Sequence, residues 1–340
     1  MPLNAGLLPR HDDSRKERTV GKIRILTTGG TIAMRETQPG QGAVPALTGT
    51  DFQRFLPPDA PPVEVEEICN IPGAHMTIDL LWKVRSRVLA AAQDPEVDGI
   101  VITHGTDTLE ETAYLLDLTV PGEKPVVLTG AMRTSSDLGY EGPVNLVAAV
   151  RVAAEPRARN LGVLVVLNDE IHAARHVTKM HTLAPDTFHS PGWGPLGRVD
   201  PDKVFFVHRI PRKTVLCEAL EPKVALIKLA VGMEDDFLRC ALAAEMRGIV
   251  LEGLGGGRIP PWWLPGISKA ISRGTTVVIA SRCPEGRVYD KYGFSGSYRD
   301  NRAKGAYFAG GLNGQKARIG LMVALGKGAP ANALETIFER

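Results

Sequence analysis

The sequence is poor in the features that mark several common protein classes. Its 340 residues hold four cysteines, Cys69, Cys217, Cys240 and Cys283, far apart and with no CxxC pair. That spacing argues against a disulfide framework or a zinc ribbon and fits reduced thiols in a cytosol. Neither sign of charge dominates. Forty Lys and Arg stand against 38 Asp and Glu, a net of +2, so no global field marks out nucleic acid or an acidic membrane as a partner. No apolar run approaches the roughly 18 residues that a membrane span needs. The first 20 residues lack the apolar centre of a secretory signal, and Arg15, Lys16 and Arg18 alternate there with Asp12, Asp13 and Glu17. They read as a flexible, solvated tail, and the expected location is cytoplasmic.

Cofactor motifs are also scarce. There is no Walker A pattern, and GLGGGRIP (253–260) carries Arg258 where a dinucleotide fingerprint needs its third glycine, so no organic cofactor is expected. His172 and His176 are four apart, which would put two imidazoles on one helix face, with His181 nearby. HAARH, however, lacks the glutamate of HExxH and a third acidic ligand, so these read as surface or core histidines and no metal is expected.

What the sequence has is a recurrent strand-and-helix pattern and enough apolar residues, 44%, for a substantial core. KIRIL (22–26), GIVIT (99–103), PVVLT (125–129) and GVLVVL (162–167) are short, nearly all apolar and rich in Val and Ile, as strands buried on both faces are. Between the first two, Leu81, Val84 and Val88 share a helical face, with Thr77 placed to cap its start and Pro95 beyond its end. A second unit begins near Lys223 with KVALIKL (223–229), GIVLEGL (248–254) and TTVVIA (275–280). The expectation is two α/β domains: a larger N-terminal one over 21–207, mostly parallel with flanking helices, and a smaller C-terminal one over 223–340. Residues 208–222, with two prolines, mixed charge and weak periodicity, are the linker.

Polar residues cluster after each strand: Thr27 to Thr31, Thr103 to Thr108, Gly130, and Asn168 with Asp169. In a parallel sheet such positions share the carboxyl edge, where ligands usually sit. TTGGTIAM (27–34) suits a turn that closes a strand, a phosphate cradle or the seat of a nucleophile. In THGTDTLEE, Thr108 and Glu111 fit a capping box that starts a helix near Leu109. Thr106 and Asp107 then lie at the positive end of that helix, where an isolated Asp would merely stabilise the helix start. The Ala131 amide of LTGAMR (128–133) is placed to hold an oxyanion. Lys179, downstream of the fourth strand, would act on a threonine hydroxyl if both share a partly dry cleft.

Taken together, TTGGTIA (27–33) and ITHGTDTLEETAYLLDLTV (102–120) resemble the two signature segments of bacterial-type L-asparaginases, the asparaginase/glutaminase family. The resemblance continues through KPVVLTGAMR (124–133), VTK (177–179), GPLG (194–197) and DKYGF (290–294). It implies hydrolysis of a side-chain amide to acid and ammonia through an acyl-enzyme, without metal or organic cofactor. Thr31 would be the nucleophile. Thr106 would stand at the scissile amide with Lys179 bonded to it, and Asp107 would take the substrate α-ammonium. The amides of Thr106 and Ala131 would stabilise the oxyanion. The implied assembly is a homotetramer, a dimer of dimers with sites at subunit interfaces.

The chain also departs from that family pattern. The loop after TTGGTIA, RETQPGQGAVPALTG (35–49), has no tyrosine where the family commonly carries one, the position falling near Ala43. Gly73 and Ala74 stand where a serine and a glutamine commonly contact the substrate head group. Arg258 falls near an asparagine that commonly reaches the neighbouring subunit's site, where a guanidinium would clamp a carboxylate or rest on the surface. These changes leave the reacting centre and alter the head-group pocket. Three functions follow: hydrolysis of L-asparagine, the same chemistry on another amide, lactam or D-amino acid, or a weakly catalytic amino-acid sensor.

Overall fold

The computed structural model describes residues 21–340, so the tail expected over residues 1–20 lies outside the described residues. Two separate sheets form the frame. The large one has eight strands in the order Val204–Phe206, Gly197–Val199, Glu170–Ala173, Val163–Leu167, Val126–Thr129, Val97–Thr103, Lys22–Gly29 and Val63–Ile71. The last five in that order pair in parallel, and the first three extend the sheet by antiparallel pairing. The small sheet has four parallel strands in sequence order, Val224–Lys228, Gly248–Gly253, Thr276–Ser281 and Tyr307–Phe308. This is the two-domain α/β architecture expected from the alternation of strands and helices. Residues 207–223, between the sheets, contain no helix or strand.

The apolar strands alternate faces as a sheet covered on both sides requires. Ile23, Ile25 and Val101 pack under the helix Gly142–Ala154, while Leu26, Ile100 and Ile102 pack with Val84 and Val88 of the helix Ile78–Gln93. Thr77 caps that second helix, accepting the Leu80 N–H at 3.2 Å. The helix Leu109–Thr119 is buried at ten of its eleven positions. One side covers the large sheet, and Tyr114, Leu115 and Leu118 enter a second core with Val250, Val278 and the helix Gly314–Ala324 of the small domain. That double burial explains why AYLLDLTV carries so little polar surface.

Two local expectations are corrected. Thr108 is the N-cap of its helix but makes no side-chain cap; its hydroxyl donates instead to the Gly73 carbonyl at 2.9 Å, so the capping box does not form. His172 lies in the strand Glu170–Ala173, not on a helix. Asn168 and Asp169 do follow the strand Val163–Leu167 at its carboxyl end; both adopt positive φ, 51° and 60°, and form a two-residue hairpin into the antiparallel strand Glu170–Ala173. The strand Val63–Ile71 is an unforeseen edge strand. Its VEVEE pattern looks too acidic for a sheet, yet Glu64 and Glu66 lie 3.1 and 3.6 Å from the Arg24 guanidinium of the neighbouring strand, a charged edge that discourages further pairing.

Candidate active site

Register places the strand ends side by side. Thr27 pairs with Thr103, and Thr103 with Thr129, so the turns that follow emerge together at the carboxyl edge. Glycines then bring their backbones into contact. A Cβ on Gly30 would lie 2.3 Å from the Gly105 Cα, one on Gly105 would lie 2.4 Å from the Gly73 Cα, and one on Gly130 would lie 2.6 Å from the His104 carbonyl oxygen. Only hydrogen fits at those positions. The packing joins the turns that carry Thr31, Gly73 with Ala74, Thr106 with Asp107, and Ala131.

Within that cluster, the Lys179 ammonium donates to Thr106 Oγ1 at 2.9 Å and to Asp107 Oδ1 at 2.8 Å. Thr106 is buried. The Asp107 side chain is 59% exposed and that of Lys179 only 18%, so the lysine comes from within and the carboxylate opens to solvent. The lysine belongs to a two-residue strand, Thr178–Lys179, paired antiparallel with Phe188–His189. Thr31 opens a single turn of 3-10 helix, Thr31–Ala33, after Gly30 at φ 79°, and is half-buried. A short helical turn with amides at its start suits a hydroxyl presented to a carbonyl carbon.

Several buried and half-buried groups that the sequence did not single out hold these turns. His104 is fully buried behind Thr106. Its Nδ1 donates to the Gly105 carbonyl at 2.8 Å, and its Nε2 accepts from Thr112 Oγ1 at 2.9 Å. Burial holds the ring neutral, lowering it to about 4. Asn145 donates to the Gly130 carbonyl and accepts the Asn168 N–H, both at 3.0 Å, fixing the strand end before Ala131. The Glu141 carboxylate accepts from the N–H groups of Met132 and Arg133. Tyr140 donates its hydroxyl to the Ile32 carbonyl at 2.6 Å, bracing the turn that bears Thr31. Tyr140 acts across 108 positions and Asn145 across 15 and 23, too far for a local motif to record, while His104 and Glu141 act within nine positions but on turns that no helix or strand period describes.

Other sequence candidates lie differently. Gly73 is buried and Ala74 exposed. Arg258 is not brought to Thr106 and Lys179 within the chain: its guanidinium donates to the carbonyls of Gly256 and Tyr289 and sits 4.7 and 4.8 Å from the ring centres of Tyr289 and Tyr292. His172 is a core residue beside Ser190 Oγ at 3.0 Å, and His176 stacks on Trp193 at 4.3 Å. Burial lowers both imidazoles to about 4. Among the described residues, no three His, Cys, Asp or Glu side chains group as metal ligands do, and no helix is long and apolar enough to cross a membrane.

Comparison with known proteins matches residues 22–212 to the family described as Asparaginase, N-terminal, and residues 223–338 to the Glutaminase/Asparaginase C-terminal domain. The chain is 37% identical over 307 residues to an L-asparaginase of Bacillus licheniformis, covering 89% of this chain and 95% of that protein. It is 38% identical over 332 residues to a probable periplasmic L-asparaginase of Haemophilus influenzae, covering 93% and 92%. To a glutaminase-asparaginase of Pseudomonas aeruginosa it is 34% identical over 355 residues, covering 98% and 94%.

Proposed function

The chain belongs to the asparaginase family, and from that premise we propose that it hydrolyses L-asparagine to L-aspartate and ammonia through an acyl-enzyme on Thr31. It is an asparaginase-type amidohydrolase. The observation that carries the finer reading is the Lys179–Thr106–Asp107 cluster, with its 2.9 and 2.8 Å bonds, at the same sheet edge as the Thr31 turn.

In this account the substrate α-ammonium takes up the exposed face of the Asp107 carboxylate. The side-chain amide then lies between Thr31 and Thr106. The Thr31 oxygen attacks the amide carbon, and its proton passes to the departing nitrogen through the Thr106 hydroxyl and Lys179. The carbonyl oxygen gathers negative charge against the amides of Thr106 and Ala131, where each such donor is worth about 3 kcal/mol. Ammonia leaves, and water releases aspartate from Thr31 by the same steps reversed. The steps use only side chains and backbone amides, so no metal or organic cofactor is invoked.

The test is ammonia release from L-asparagine by wild type, Thr31→Ala and Lys179→Met. Turnover by the wild type and losses of roughly 100-fold or more in both variants are expected. Wild-type rates in both would end this mechanism.

A second reading keeps the chemistry and changes the amide. It is favoured by Gly73, where a Cβ would stand only 3.1 Å from the Gly105 backbone. A serine side chain there would crowd the turn that carries Thr106. Without the serine and glutamine at 73 and 74, the head-group pocket is left to backbone groups and Asp107. Comparing kcat/KM for L-asparagine, L-glutamine, D-asparagine and small lactams decides it, and a clear preference for L-asparagine removes it.

The resemblance also leads us to propose a homotetramer in which Arg258 faces the neighbour's site, tested by light scattering and by the KM of Arg258→Ala. The free state of Cys69, Cys217, Cys240 and Cys283 supports a reducing compartment, the cytoplasm, which cell fractionation tests.

A further inference from the structure

The small domain reaches the site from behind, at the start of the helix Gly314–Ala324. Asn313 is the N-cap of that helix: its Oδ1 accepts the Lys316 N–H at 3.0 Å. Its Nδ2 points the other way, donating to Glu110 Oε2 at 3.2 Å and to Thr178 Oγ1 at 3.3 Å. Gln315 donates to Glu110 Oε1 at 2.9 Å. Lys316 is 1% exposed. Its ammonium stands 3.7 Å from Glu110 Oε2 and donates to the carbonyls of Arg175, at 3.3 Å, and Val177.

Each of these partners adjoins the proposed machinery. Val177 and Thr178 immediately precede Lys179, and Glu110 lies in the first turn after Thr106 and Asp107. The strand that carries Lys179 has two residues and one short partner, too little pairing to fix an ammonium by itself. A buried ammonium is tolerated only when its donors are used. Lys316 donates to the carbonyls of Arg175 and Val177 with the Glu110 carboxylate 3.7 Å away, which ties its position to that of the 175–178 segment. Fixing a catalytic group to a fraction of an ångström requires such outer support.

We propose that Asn313 and Lys316 are positioning residues through which the C-terminal domain holds Lys179 of the same chain against Thr106. The proposal rests on the functional reading above. It predicts that the Asn313 amide nitrogen matters to catalysis separately from the Asn313 cap.

Full-length Asn313→Ser separates the two roles. Serine keeps a capping oxygen for Lys316 N–H but cannot reach Glu110 and Thr178. Thr178→Val removes the acceptor from the opposite side without touching the cap. Both variants should keep a Tm near wild type, lose roughly tenfold or more in kcat, and hold KM within about twofold. Labelling of Lys179 by an amine-reactive reagent, read by peptide mass spectrometry, should speed up severalfold as its ammonium leaves Thr106. Asn313→Ala should lose the same kcat and, in addition, Tm.

Wild-type kcat and wild-type Lys179 labelling in Asn313→Ser and Thr178→Val would overturn the proposal. Loss of kcat only in proportion to a lowered Tm would also count against it, since that is what a purely structural role gives. Lys179→Met keeps the two questions apart: if that variant turns over normally, the functional reading fails, while the labelling rates still decide whether the C-terminal domain positions the lysine.

Discussion

Gly105→Ala is the sharpest perturbation of the frame. The added Cβ would stand 2.4 Å from the Gly73 Cα, 2.7 Å from the Gly73 nitrogen and 3.3 Å from the Gly30 Cα. Ordinary carbon contact is about 3.5 Å, so the Gly73 and Gly105 backbones must separate by about 1 Å. All three obstacles are backbone, which cannot rotate away as a side chain does. Overpacking of this kind costs about 1–3 kcal/mol of stability. The catalytic cost is larger, because a displacement of about 1 Å at a reacting centre is worth roughly 100-fold in rate, and Gly105 directly precedes Thr106. The assay is kcat/KM for amide hydrolysis beside calorimetric Tm, with Gly293→Ala as control, since a Cβ there meets nothing within 4 Å. Expected are a loss of roughly 100-fold with a Tm drop of a few degrees for Gly105→Ala, and no change for the control. A Gly105→Ala enzyme within about twofold of wild type would refute the claim that close glycine contact aligns the turns.

Tyr140→Phe removes the hydroxyl donor of the buried Ile32 carbonyl, which should cost about 1–3 kcal/mol of stability and lower kcat more than it raises KM; an unchanged kcat would show that the Thr31 turn holds itself. Stability should also fall with pH. Below its ordinary value of 6.5, His104 takes up a proton in the unfolded chain that the native state refuses until about 4, so up to about 3 kcal/mol is lost over that window. Thermal melts from pH 7 to 4 check this, and His104→Asn, which does not titrate, should show a shallower slope whatever its starting Tm.

Much of the frame could be read from residues near one another in the chain. Runs such as GIVIT and GVLVVL have no polar position to face water, so strands buried on both faces were the natural outcome, and the helix capped by Thr77 announced itself by period and cap. The edge strand Val63–Ile71 escaped because its glutamates are satisfied by Arg24, forty residues away in sequence, and no local pattern records that. The two-histidine helix failed for a related reason. A four-residue spacing has a helical meaning only inside a helix, and the tight turn at Asn168 and Asp169 had already committed the chain to a hairpin.

The site divides in the same way. Thr31, Thr106, Asp107 and Lys179 stand on distinctive local motifs. Of the groups argued to hold them, Asn145 reaches across 15 positions, Tyr140 across 108 and Asn313 across 135 and 203, which only the folded chain brings together. The same holds for Thr108, whose hydroxyl left the expected cap for the Gly73 carbonyl once the two glycine turns packed.

The central claim is that Thr31 carries the acyl group. Rapid acid quench during turnover of L-asparagine, followed by peptide mass spectrometry, tests it most directly. The account predicts an aspartyl ester on the peptide containing Thr31, absent from Thr31→Ala and accumulating in any variant slowed at deacylation. An ester on Thr106 instead, or steady turnover by Thr31→Ala, would contradict it.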